Sequence, residues 1–331
     1  MLFRLSALVL LLLSSLTARA DVSVLTSIKP LQLIAAAVQD GVGSPDVLLP
    51  AGASAHHYML KPSDARRLQE ADLFYWVGPD LEGFLPRVIA GRQGPSLAVQ
   101  TLPDLQLRHF GESAQDDHDH DHDHDHDHDH DHDHDHDHDH DHDASAAHDE
   151  PDHDHQPGSL DAHLWLLPEN ARVIAARMAA DLAARDPANA QRYQANLAAF
   201  EQRLADVDGR LQARLAPLAR QPFFVFHETY DYFEAAYGLR HAGVFSLGEV
   251  QPGARQVAQL RERLHQAGAT CVFHEPPQAP RLAHTLTQGL PVRLAPLDAM
   301  GDGLPVNAHG YEQLLTHLGE QFAECLTAPG H

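Results

Sequence analysis

Residues 22–50 read VSVLTSIKPLQLIAAAVQDGVGSPDVLLP, and this stretch decides the fold class. Val22 to Thr26 is a short apolar run, a helical pattern opens near Pro30 and ends before Gly41, and Asp46 to Leu49 is a second apolar run. Proline in the first helical turn and glycine after the last are the usual marks of a helix's two ends. A run, a helix and a run in that order is the signature of a parallel α/β unit. A further run, Asp72 to Val77, follows a helix expected to be capped by Ser63. Late in the chain the alternation returns at Phe223 to Phe226, Val244 to Leu247, Thr270 to Phe273 and Val292 to Leu294, with helices between the runs and a last one over about 310 to 326. Between the two sets lies a long helical stretch that starts at Asp186-Pro187. Its apolar positions Tyr193, Leu197, Phe200, Leu204, Val207, Leu211 and Leu215 are spaced by three and four, so they share one face. The expected fold is α/β: two lobes, each with a mainly parallel sheet flanked by helices, joined by one long rigid helix. That helix would span about 45 Å if thirty residues are helical. A stiff connector of this kind limits hinge closure.

The N-terminus sets the compartment. Arg4 precedes an apolar run from Leu5 to Leu13 and then the small-residue site Ala18-Arg19-Ala20, the pattern of a cleaved secretory signal peptide. That run falls short of the ~20 residues a spanning helix needs. No cysteine stands after it to take a lipid anchor, so a free periplasmic protein is expected. The two cysteines, Cys271 and Cys325, are an even pair in an oxidising compartment and are expected to form a disulfide.

The formal net charge of −24 is unevenly placed, because residues 112–155 hold 20 acidic side chains and neither Lys nor Arg. Without them 27 acidic side chains face 23 basic ones, and nothing points to a nucleic-acid partner. Within the tract histidine occupies every even position from His118, His120, His122 and His124 through to His142, followed by His148, His153 and His155. So few apolar residues cannot offset the ordering entropy, and a disordered His/Asp-rich insertion is expected. Imidazoles and carboxylates at that density bind divalent transition metals at weak, unselective secondary sites. About 265 residues remain outside signal and tract, more than one core usually supports. The expected organisation is a signal peptide over 1–20, an N-terminal lobe over 21–111 and 156–186, the insertion over 112–155, a connecting helix over 187–218 and a C-terminal lobe over 219–331.

Open α/β sheets offer their chemistry at the carboxyl ends of the strands, so the histidines that follow apolar runs are the candidate ligands. His56 and His57 lie in Gly52-Ala-Ser-Ala-His-His-Tyr58, His227 directly follows Phe223-Phe-Val-Phe226, and His163 sits in Asp161-Ala-His-Leu-Trp165 before a helix starting near Pro168-Glu169. Taken together in a secreted chain with a metal-attracting tract, they read as a metal site. Three imidazoles and one oxygen suit tetrahedral zinc, whereas manganese and calcium prefer more carboxylates.

Six motifs also resemble one family, the periplasmic metal-binding subunits of ABC importers, and within it the zinc-specific, ZnuA-type branch. They are Thr26-Ser-Ile-Lys-Pro30, Gly52-Ala-Ser-Ala-His-His-Tyr58, Pro62-Ser-Asp64, Trp76-Val-Gly-Pro79, Asp161-Ala-His-Leu-Trp165 and Phe224-Val-Phe-His-Glu-Thr-Tyr230. The resemblance implies that His56, His163 and His227 are the primary zinc ligands, that the lobes are joined by a rigid helix, and that a disulfide lies near the C-terminus. It implies a zinc-capturing monomer, not an enzyme, whose partners are a membrane permease and its ATPase. Some relatives carry an acidic ligand just before the first histidine, where this chain has Ala55. A water or Asp298, in Leu297-Asp-Ala299, is left to fill the fourth position. His57, His274 and Glu275 are auxiliary candidates. Two other functions stay open on the residues alone: a periplasmic zinc buffer or chaperone, and a secreted zinc metallohydrolase, for which the chain offers no HExxH motif.

Overall fold

The computed structural model describes residues 21–111, 158–246, 253–276 and 281–327. The signal segment 1–20, the insertion 112–155 and its histidines, including His118, His120, His122 and His124, lie outside the described residues.

In chain order the elements are β1 (Val24–Thr26), α1 (Lys29–Val38), β2 (Asp46–Val47), α2 (Pro62–Glu70), β3 (Leu73–Trp76), α3 (Pro86–Ile89), β4 (Ser96–Ala98), β5 (Arg108–His109), β6 (Leu160–Asp161), α4 (Pro168–Arg185) and α5 (Ala190–Leu215). They continue with β7 (Phe223–His227), α6 (Asp231–Tyr237), β8 (Gly243–Ser246), α7 (Ala254–Ala267), β9 (Thr270–His274), α8 (Arg281–Thr287), β10 (Val292–Pro296) and α9 (Gly310–Thr327). Two four-stranded sheets result, ordered β2-β1-β3-β4 and β10-β9-β7-β8, and every neighbouring pair in both is parallel. The apolar runs read from the sequence became strands β1, β2, β3, β7, β8, β9 and β10. A short antiparallel pair, β5 with β6, and the edge strand β4 were not foreseen.

Ser63 is not the cap of α2. Pro62 is the first helical residue, and the Asp64 carboxylate accepts the Lys61 N–H at 2.9 Å, so the acid three residues on does the capping. The long helix opens with a 3-10 turn over Pro187–Asn189 and runs as α5 for 26 residues, about 39 Å. Six of its seven stripe residues are buried, and Leu197 packs against the same core from a partly buried place.

The stripe does not run along a bare connector. Helices α1, α4, α5 and α9 pack on one another between the sheets, and one buried cluster extends from Val24 and Phe74 through Phe200 and Tyr311 to Phe223 and Phe273. Two sheets therefore share one continuous core, where length alone suggested two. Gly319 lets α9 come this close to α5, since a Cβ there would stand 2.3 Å from Leu211 Cδ2. Among the described residues the outer face of the second sheet has a separate core, with Phe224, Phe245 and Val272 covered by Leu260, Leu264 and Leu286. Cys271 in β9 and Cys325 in α9 are bonded, with Cα atoms 6.1 Å apart. Among the described residues no helix is long and apolar enough to cross a membrane.

Candidate metal centre

Three segments bring one histidine each to a common place. His227 is the last residue of β7, His163 follows β6 by two residues, and His56 lies in the loop after β2. Their ring centres form a near-equilateral triangle with sides of 5.7, 5.7 and 5.8 Å. Rings that each direct one nitrogen to a tetrahedral zinc ion at about 2.0–2.1 Å have centres about 5 Å apart. The observed triangle is thus wider than a loaded site and needs a contraction of about 0.5–0.8 Å. These histidines open on a cavity of about 630 Å³, whose other lining includes Trp165, Glu275 and Asp298.

Each ring is oriented by a neighbour two residues away or by its own loop. Asp161 Oδ1 accepts the His163 backbone N–H at 2.9 Å and lies 2.8 Å from His163 Nδ1, on side chains only 1 % and 5 % exposed. A carboxylate on Nδ1 is the usual outer support of an imidazole that binds a metal through Nε2. Burial pushes the Asp161 carboxyl up to about 7, opposed by the His163 N–H and the Arg108 charge. Thr229 Oγ1 holds His227 Nδ1 at 3.0 Å in the same manner. In the first loop the Ser54 hydroxyl accepts the N–H groups of both His56 and His57 at 3.2 Å, shaping the turn that presents His56. Sequence reading missed these supports, although an Asp two residues before His163 and a Thr two residues after His227 were visible local signals.

Asp298 lines the cavity, yet its carboxylate is engaged by backbone: Oδ1 accepts from Met300 at 2.9 Å and Gly301 at 2.8 Å, and Oδ2 from Asp302 at 3.1 Å. The turn so built reaches both neighbouring histidine segments. Asp302 Oδ2 accepts the Gly52 N–H at 2.6 Å, next to the His56 loop, and Ala299 O accepts Trp165 Nε1 at 3.0 Å. Trp165 in turn packs edge-on against His163, with centres 5.3 Å apart. Of the auxiliary candidates, His57 is exposed with its ring centre 6.5 Å from that of His56. His274 is 8 % exposed, and its Nδ1 lies 3.0 Å from the Glu275 carbonyl. Glu275 does line the cavity, and burial pushes its carboxyl up to about 7.

A two-lobed α/β protein with three imidazoles converging between its sheets is the class that fold and site define. Residues 24–325 match the family described as zinc-uptake complex component A, periplasmic, ZnuA. The high-affinity zinc uptake system protein ZnuA of Yersinia pestis is 36 % identical over 309 residues, covering 93 % of this chain and 92 % of its own. The protein of the same description from Paracoccus denitrificans is 41 % identical, covering 95 % of both chains. A solved structure described as a 138-173 ZnuA deletion mutant plus zinc bound shares the fold, with a TM-score of 0.70 at 20 % identity over 93 % of this chain and 99 % of that one. The chain belongs to the ZnuA family of zinc-uptake components. Proteins of this family are solute-binding components and not enzymes, so the hydrolase reading falls away.

Proposed function

We propose that this protein, exported and freed of residues 1–20, works in the periplasm as a monomer that captures Zn2+ between its lobes and delivers it to the permease of an ABC-type importer. His56, His163 and His227 are the primary ligands and a water drawn from the cavity is the fourth. Asp298 acts as the brace of the turn behind them, since three backbone N–H groups already occupy its carboxylate. The observation that carries the reading is the triangle of ring centres with sides of 5.7 to 5.8 Å, built by three separate segments. Zinc is the cargo because three neutral imidazoles and one oxygen match its tetrahedral preference.

The test is zinc titration against a competing chelator. Replacing His56, His163 or His227 by Ala should weaken tight binding by comparable, large factors, because each removes one bond from the ion. A variant that binds as the parent does would strike that residue from the set. Zinc-loaded protein should also stimulate ATP hydrolysis by the reconstituted permease and ATPase. Tight binding without that stimulation would favour the zinc buffer or chaperone instead.

A further inference from the structure

We propose that Asp302 is a positioning residue for zinc capture, holding the loop that carries His56 against the turn after β10 and so keeping the third imidazole within reach of the other two. This rests on the three-histidine reading above and gives Asp302 no bond to the ion. The three imidazoles are not equally well held. His227 ends β7 and has Thr229 Oγ1 on its Nδ1, while His163 is braced by Asp161 on one side and Trp165 on the other. His56 stands in neither helix nor strand, in the connection between β2 and α2. That connection leaves the sheet at Leu49, whose N–H donates to Ser27 O at 3.0 Å, and then turns sharply, with the Ala53 N–H on Pro50 O at 3.1 Å and Gly52 at a φ of +74°. The contraction that an ion requires of the triangle must therefore come chiefly from His56.

The turn after β10 is the fixed side of the contact. Leu297 N–H donates to His274 O at 2.9 Å, Asp298 N–H to Gln321 Oε1 of α9 at 3.2 Å and Leu304 N–H to Gly301 O at 3.0 Å, besides the three bonds the Asp298 carboxylate accepts. Gly301 packs this turn on α9 and α1, since a Cβ there would stand 3.1 Å from Leu314 Cδ1 and 3.6 Å from Leu33 Cδ1. From this bracket Asp302 Oδ2 accepts the Gly52 N–H at 2.6 Å, across 250 residues of chain. A carboxylate on a backbone N–H is one of the stronger hydrogen bonds. Because a side chain makes it, substitution can cut it without removing a ligand. Cutting it returns to the His56 loop a freedom that binding must then remove, which offsets part of the bond His56 makes to the ion. His163 and His227 still meet the ion first, so the loss falls on release and not on capture.

The test is stopped-flow zinc binding and release on the full mature chain, with Asp302→Ala, Asp302→Asn, His56→Ala and the double variant Asp302→Ala/His56→Ala. Asp302→Ala should release zinc about tenfold faster at an unchanged association rate, with the metal-free melting temperature near parental. Asp302→Asn keeps an acceptor oxygen and should recover most of that loss, which also guards against an Ala variant that folds poorly. Since Asp302 acts through His56, its removal should change nothing further in the His56→Ala background. Parental release from Asp302→Ala, a loss confined to the association rate, or effects that add in the double variant would overturn the proposal. His56→Ala binding as the parent does would instead remove the ligand reading, and this inference with it.

Discussion

One oxygen, Asp161 Oδ1, holds both the backbone and the ring of His163, so the strongest test of the centre is a residue that need not touch the ion. Asp161→Asn keeps the shape but weakens the acceptor, and should lower zinc affinity about 10- to 100-fold while the melting temperature of the metal-free protein stays near parental; chelator competition measures the first and calorimetry the second. Glu82 bears on pH. It is fully buried and accepts the Gly78 N–H at 2.9 Å, yet burial outweighs that bond and pushes its carboxyl up to about 7. Folded protein keeps this proton at pH values where unfolded chain has already lost it. The stabilisation is therefore complete in acid and is lost as pH rises through about 7. The melting temperature of metal-free protein should fall between about pH 5 and pH 8, and Glu82→Gln should flatten that fall. Zinc affinity should move the other way, dropping as acid protonates the histidines. His56, His163 and His227 were legible as candidate ligands because His56 and His227 follow apolar runs and His163 stands in a short motif just before a helix. Asp298 was not decidable from sequence, since a carboxylate beside a strand end looks the same there whether it faces an ion or its own turn.

Helix α9 connects the second sheet to the central helices, packing on β9 and β10 as well as on α5 and α1. The Cys271–Cys325 bond ties it to β9 across 54 residues of chain. In the chain-entropy model such a loop contributes about 4 kcal/mol, so reduction should lower the melting temperature on the order of 10 °C. Zinc stoichiometry should not change, since both cysteines are 1 % exposed and neither lines the cavity. Two reactive thiols in unfolded, unreduced protein would contradict the bond. Helix α5 was readable because seven apolar residues at a helical period report one buried face whatever lies against it. Strand β4 was not readable: Ser96-Leu-Ala98 is three residues long at a sheet edge, too short for any period to show.

The whole molecule is organised so that the His/Asp insertion hangs from a closed ladder. Where the described chain stops at Gly111 and resumes at Gly158, Phe110 N–H donates to Ser159 O at 3.0 Å and Gly158 N–H to Phe110 O at 2.8 Å. Tyr232 of α6 clasps that ladder, accepting from Arg108 N–H and donating to Asp161 O, both at 2.9 Å. The ends of the insertion are thus joined without it. Deleting residues 116–155 should leave tight zinc binding at near-parental affinity and remove the many weak sites, as zinc titration of the folded, deleted protein would show. Loss of tight binding would mean that the insertion holds the primary site. The amino-acid sequence by itself determined the α/β class, the long helix, the cysteine pair and the residue types that bind metal, because periodicity and donor chemistry are local properties. Only the tertiary structure decided that the two sheets share one core and that the Asp298 carboxylate is bonded by the backbone of its own turn. It also decided that His56, His163 and His227 come within 6 Å of one another. Distances between residues far apart in the chain are set by how sheets and helices pack, and no local pattern records them.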